Sequence, residues 1–356
     1  MKCFKKLIVK LYFMLALLLL SYPALSASYN EGLDAVKAGD LETAFDIWLS
    51  LAEGGQKEAQ NDLAGLYFVG ANGKPDTAEA VYWFTRAANQ NHDQAALSLG
   101  HIYRSDVLGR PDINKAISWY RRSADIGNSE AAYFDAVLTL KTETSSENIQ
   151  HALAQLQVSA KAGFIPAIYE IGNINRDGNF VARDIAMAAK WYEVASNYGH
   201  GGASYNLALI YIYGDLGEID LIKAQDELNK AAKLNHGDSQ YLLGFFSQNG
   251  VMGRRSYVQA FKWFSAAAHQ WHQDAQYELG MANFRGQGTP RNFIEAHKWF
   301  DLAASGNHKQ AHYMRAAAAK KLSPFDLKKG KDMAQVWFDQ NHSTPHTHKT
   351  MVPHGH

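Results

Sequence analysis

The sequence predicts an all-α solenoid built from 36-residue helix-turn-helix repeats. Three columns of residues carry that reading. Alanine stands at 80, 116, 152, 188, 224, 260 and 296, a step of 36 that never slips. Three residues further on lie Trp83, Trp119, Gln155, Trp191, Glu227, Trp263 and Trp299. Four residues before each alanine stands a residue suited to begin a helix: Asp76, Asp112, Asn148, Asp184, Asp220, Ser256 or Asn292. A stack of like units needs such regularity, because each must present the same face to the next. Eight prolines in 356 residues leave long helices feasible.

Residues 1–27 belong to a different physical class. Lys2, Lys5, Lys6 and Lys10 precede an apolar run from Leu11 to Leu20, followed by the small residues of Ala24 to Ala27. This pattern reads as a secretory signal peptide cleaved after Ser26 or Ala27. The alternative is an uncleaved anchor, which gives the only membrane contact the sequence suggests. Without this segment the chain carries 31 basic and 35 acidic side chains, a balance of −4. That balance speaks against a nucleic-acid binder, which needs a basic face. Cys3 leaves with the segment and no cysteine remains, so packing rather than disulfides must hold the fold. The expected location is the periplasm or the exterior.

Residues 28–56 read as an N-terminal capping unit, whose Gly32, Ala35, Gly39, Asp40, Ala44 and Trp48 resemble a tetratricopeptide unit. Residues 57–316 hold about seven repeats. In each, the cap residue accepts a hydrogen bond from an orphan helix amide. The alanine, the Trp position, the next residue (Phe84, Tyr120, Leu156, Tyr192, Leu228, Phe264, Phe300) and a small residue five beyond the Trp share one broad face. That small residue is alanine six times and Ser196 once. A turn follows, and then a second helix bearing Ala95, Ala131, Ala167, Ala203, Ser239, Ala275 and Ala311. Tyrosine lies two residues further on in six of the seven units. Mid-helix glycines such as Gly100, Gly244 and Gly280 cost about 1 kcal/mol relative to alanine, and their recurrence predicts a place where two backbones nearly touch. The third unit is the weakest, with Gln155 for Trp, Asp135 for leucine and no glycine between Thr142 and Asn148.

The strings Ala203-Ser-Tyr205-Asn-Leu207-Ala208 and Ala275-Gln-Tyr277-Glu-Leu279-Gly280, with Gly214, Gly286 and Lys298-Trp299-Phe300, resemble a Sel1-like repeat, a relative of the tetratricopeptide repeat. The resemblance spans roughly 57–316. It implies antiparallel helix pairs stacked into a right-handed α/α superhelix, and a scaffold or adaptor role. Residues 317–341 then read as a C-terminal capping segment, with a helix around Met333 to Phe338, and 342–356 as a disordered histidine-rich tail.

No nucleophile elbow, HExxH, phosphate loop or CxxC occurs, so neither catalysis nor a cofactor is expected. His92, His200, His236, His272 and His308 recur nine residues after the Trp position. Successive units lie roughly 10 Å apart and zinc needs nitrogens near 2 Å, so a role at the turn or helix end is expected rather than a metal ladder. In the tail, His346, His348, His354 and His356 are the one weak candidate for metal, set against a simply solvated segment. A stripe on the second helices reads as the groove surface: Leu209, Tyr213, Leu242, Phe245, Met281 and Met314, flanked by Asp238, Asp274, Glu278 and Arg285. The function expected is docking of a protein or peptide partner along that groove. The alternative is a cell-wall protein that binds or hydrolyses peptidoglycan.

Overall fold

The computed structural model describes residues 28–71 and 73–342, and these are all-helical. The signal segment and His346, His348, His354 and His356 lie outside the described residues. The described residues divide into two compact units, before and after the step from Ala167 to Ile168.

The first unit holds α1 (Tyr29–Lys37), α2 (Leu41–Glu53), α3 (Lys57–Val69), α4 (Thr77–Asn89), α5 (Asp93–Arg104), α6 (Ile113–Asp125), α7 (Ser129–Thr142) and α8 (Ser146–Lys161). Helix α9 (Ile165–Asp177) begins at the division. The second unit continues with α10 (Ile185–Asn197), α11 (Gly201–Tyr213), α12 (Leu221–Lys233), α13 (Gly237–Asn249), α14 (Tyr257–Ala268), α15 (Gln273–Arg285), α16 (Phe293–Ser305), α17 (Lys309–Ala319) and α18 (Pro324–His342). No described helix is long and apolar enough to cross a membrane.

The cap column starts the Trp-bearing helices by the expected chemistry. Asp112 Oδ1 accepts from the Lys115 amide at 3.0 Å, and Asp184, Asp220, Ser256 and Asn292 act alike. The third unit departs from this. Its helix starts earlier, capped by Ser145 through the Asn148 amide at 3.2 Å, so Asn148 is not the cap. Ser28 closes a capping box with Glu31 at the first described helix.

The histidine column caps the other helices. Nδ1 of His92, His200, His236, His272 and His308 accepts from the amide three residues on, at 3.1 to 3.3 Å. Asn128 does the same in its unit, through Oδ1 at 2.9 Å. Each imidazole in the second unit also lies against a tyrosine of the preceding repeat: His200 on Tyr169, His236 on Tyr205, His272 on Tyr241 and His308 on Tyr277, with centroids 4.2 to 4.9 Å apart. The histidines therefore serve the turns, and in these four repeats the tyrosine column receives them; Tyr133 meets Phe164 instead.

The core is a seam shared between repeats. All seven column alanines are at most 2% exposed, which lets helices approach, and Leu63, Leu99, Leu207, Leu243 and Leu279 fill the space between them. Burying each leucine contributes about 1.5–3 kcal/mol. The mid-helix glycines receive aromatic rings, not a second backbone. A Cβ on Gly100, Gly172, Gly244 or Gly280 would stand 2.4 to 2.7 Å from the ring of Tyr120, Tyr192, Phe264 or Phe300. Where the ring position is leucine, at Leu156 and Leu228, the glycine position holds Ala136 and Ala208. The first repeat departs, setting Ala64 against Phe84. This interlock joins each second helix to the Trp-bearing helix that follows it, so the packing pairs are α5 with α6, α11 with α12, α13 with α14 and α15 with α16. The tight pair is thus offset by one helix from the unit read off the sequence.

The C-terminal helix runs from Pro324, longer than the segment expected around Met333 to Phe338. It packs along α16, where Ala334 and Trp337 join the core formed by Phe264, Ala268, Leu279 and Trp299.

Candidate functional site

The second-helix stripe divides between core and solvent. Met281 is 8% exposed and packs with Ala296 and Phe300, so it cannot face a groove. Met314 is half-buried against the same cluster, and Leu242 is half-buried against Leu228 and Leu243. Leu209 is also half-buried. Tyr213 and Phe245 stand out at 69% and 42% exposed. Of the stripe only Met281 is taken into the core, by the packing of α15 against α16. Its flanking acids serve the turns: Asp238 meets His272 Nε2 at 3.3 Å, and Asp274 meets His308 Nε2 at 3.4 Å.

Two clefts open instead beside the Trp-bearing helices of the second unit. One, of about 720 Å³, is lined by Glu193, Tyr211, Lys223, Asp226, Glu227, Asn229, Lys230 and Lys233. The other, of about 510 Å³, includes Ser265, Asn283, Glu295, Lys298 and Trp299. These five are the equivalents, two repeats later, of Glu193, Tyr211, Lys223, Asp226 and Glu227. The cleft is therefore a recurring product of the repeat, and its chemistry is set by which residues fill the columns.

At the first cleft the columns break together. Glu227 occupies the Trp position and is only 8% exposed. Its Oε2 accepts from Ser196 Oγ at 2.6 Å, and its Oε1 receives Lys230 Nζ at 2.5 Å. Ser196 is the one departure from alanine in its own column, and its hydroxyl also meets Ser204 at 2.7 Å. Two polar replacements, Glu227 and Ser196, thus join with Ser204 in one buried chain of hydrogen bonds where most repeats place an indole over alanine. Satisfying every member is what makes a buried carboxylate tolerable there. At the rim, Lys223 Nζ lies 3.2 Å from Asp220 and 5.4 Å from the Tyr211 ring centre. The Lys223 amide, bound by the Asp220 cap, is the main cause of that carboxyl's lowered pKa, and burial raises the Tyr211 phenol. Both signs of charge line the cleft, so it suits a polar polypeptide segment better than an apolar ligand. The sequence marked Glu227 and Ser196 as exceptions to separate columns. Nothing in one dimension shows that they touch.

The Sel1 repeat model matches the chain six times, at residues 57–92, 93–128, 165–200, 202–236, 237–270 and 273–308, more than half of its length. These boundaries begin at the helix that pairs tightly with its successor, as the packing requires. A Sel1 repeat protein from Oxalobacter formigenes is similar in structure, with a TM-score of 0.70, 28% identity, and coverage of 79% of this chain and 83% of that one. A protective antigen of uropathogenic Escherichia coli strains, displaying an SLR fold, is similar at a TM-score of 0.56 and 20% identity, covering 88% and 84%. No curated protein matches in sequence.

Proposed function

The chain belongs to the Sel1 repeat family, whose members are in general protein–protein interaction scaffolds, and from that premise we propose that it is a secreted or periplasmic scaffold that grips a polar segment of a partner protein in the cleft at Glu227. The proposal includes no bond-making chemistry. The observation that carries it is the paired replacement of an indole by Glu227 and of an alanine by Ser196, joined by a hydrogen bond of 2.6 Å, which gives the recurring cleft, here of about 720 Å³, a charged lining. Burying a polar chain where an apolar seam would suffice favours recognition over stability.

The test uses the chain from Ser28 as bait in a periplasmic extract. A defined partner should be captured by the natural sequence and lost with Lys223→Glu plus Lys233→Glu, while the helical circular dichroism stays unchanged. Capture indifferent to that pair removes the cleft as the docking site. Export is tested separately, by fusing residues 1–27 to a reporter that is active only outside the cytoplasm. An inactive fusion removes the periplasmic assignment.

A further inference from the structure

A further cavity, of about 300 Å³, lies where α18 crosses α16 and α17. Its polar lining is His297 and Asp301 from α16, Arg315 from α17 and Lys331 from α18. His297 is 2% exposed, and its Nδ1 is buried with no hydrogen-bond partner among the described residues. A Cβ on Gly330 would come within 3.4 Å of that nitrogen, so Nδ1 is turned toward α18. An orphaned buried ring nitrogen is destabilising if nothing fills the gap.

The charges around it choose the occupant. Arg315 Nη1 holds Asp301 Oδ1 at 2.6 Å, which leaves other guanidinium donors free to bind. Lys331 makes no ion pair among the described residues. Two cations against one carboxylate leave a single excess positive charge. Burial holds the imidazole below the usual histidine range; Asp301 opposes this, and the fields of Arg315 and Lys331 add to it. A neutral ring in that state donates one N–H.

We propose that this cavity is a carboxylate-binding site, with Lys331 and Arg315 as the charged arms and His297 as the buried donor. One negative charge matches the excess; a phosphate dianion would face Asp301 uncompensated. Because Lys331 belongs to α18 and the other three do not, an occupied site also fastens the C-terminal helix to the repeats beneath it.

The experiment titrates the full chain by calorimetry and by nitrogen NMR of the His297 ring. The probes are acetate, N-acetyl-trialanine with a free C-terminus, its C-terminal amide, and chloride at equal ionic strength. Saturable binding of a carboxylate probe with a shift of the His297 ring is expected, and no effect from the amide or chloride. Lys331→Gln, a change at an exposed position, should weaken binding about tenfold, and Lys331→Arg should restore it. Binding of the peptide acid alone assigns the site to a polypeptide terminus; equal binding of acetate assigns it to a free small carboxylate. No saturable response from either carboxylate, equal response to the amide, or indifference to Lys331→Gln overturns the proposal. Inorganic phosphate binding more tightly than acetate also overturns it.

Discussion

The ring of Phe300 lies on the backbone of Gly280 so closely that a Cβ there would stand 2.7 Å from it. Alanine at 280 gains about 1 kcal/mol of helix propensity, but overpacking a filled seam costs about 1–3 kcal/mol. The second effect wins, because Phe300 is fully buried and has nowhere to turn. Gly280→Ala should therefore destabilise the protein in urea unfolding. Gly280→Ala with Phe300→Leu, the combination found at Ala208 and Leu228, should recover most of the loss.

Trp271 takes a left-handed backbone, φ 67°, at a position that is glycine or asparagine in the other repeats. That conformation costs about 1–2 kcal/mol for a side chain without a local hydrogen bond to offset it. The ring justifies it by packing tilted against Trp337 of α18, with centroids 4.6 Å apart. Trp337→Ala should cost about 3–5 kcal/mol, read as a lowered Tm. Trp271→Asn alone should destabilise, because it strips the seat of Trp337. In the Trp337→Ala background the cost of Trp271→Asn should shrink, because Trp271 then keeps its contact with Phe338 but not the one with Trp337. An equal cost in the two backgrounds would show that the contact with Trp337 does not hold the strain.

Asp135, fully buried in the leucine column, is held by Arg121 at 3.1 Å and His151 at 3.4 Å, with Thr139 donating at 3.2 Å. Asp301 and Arg315 repeat the pair at the same two positions with the signs exchanged. Removing Arg121 strands a buried carboxylate, and Arg121→Ala should cost about 3 kcal/mol. Asp135→Leu should stay within about 1 kcal/mol of the natural protein, since Arg121 and His151 are partly exposed and can turn to water. Chemical denaturation of the two variants, compared side by side, distinguishes them.

Acid should loosen the second unit. Burial is the main cause of the lowered pKa at His200 and His236, with the charge of His236 adding at His200 and that of His272 at His236, where Asp238 opposes. Unfolded, both titrate near 6.5, so the unfolded chain takes up protons that the folded chain refuses. The stability they contribute is complete above that pH and is lost as pH falls through it toward the folded values. Protonation also removes the Nδ1 acceptor on which each cap depends, and a cap is worth about 1 kcal/mol. Between pH 7.5 and pH 5 the urea midpoint should fall. His200→Asn with His236→Asn, which copies the cap that Asn128 provides, should shrink that fall but not abolish it, because His101 and His297 are lowered too. An identical pH profile in the double variant would rule out the caps as its source.

Much of this was legible in one dimension because the interactions involved are local or strictly periodic. A cap bonds an amide three residues on, and an alanine column needs only the step of 36. The third unit moved its cap to Ser145 because a shorter loop there starts the helix early. One member of the apolar stripe was illegible for a different reason. Met281 is apolar either way, and only its packing against Ala296 and Phe300 places it in the core, whereas Tyr213 and Phe245 stay exposed.

By itself the sequence determined that helices recur at constant spacing, where most of them begin, and which small and large residues make the seams. Tertiary structure alone decided which helices pair tightly, that Ser196 meets Glu227, and that His297 lies buried beneath α18. The physical reason is range. Hydrogen-bonded caps and helix periodicity act within a turn or two of chain, whereas a cleft is made by side chains from separate helices whose juxtaposition depends on how every intervening ring and glycine interlock.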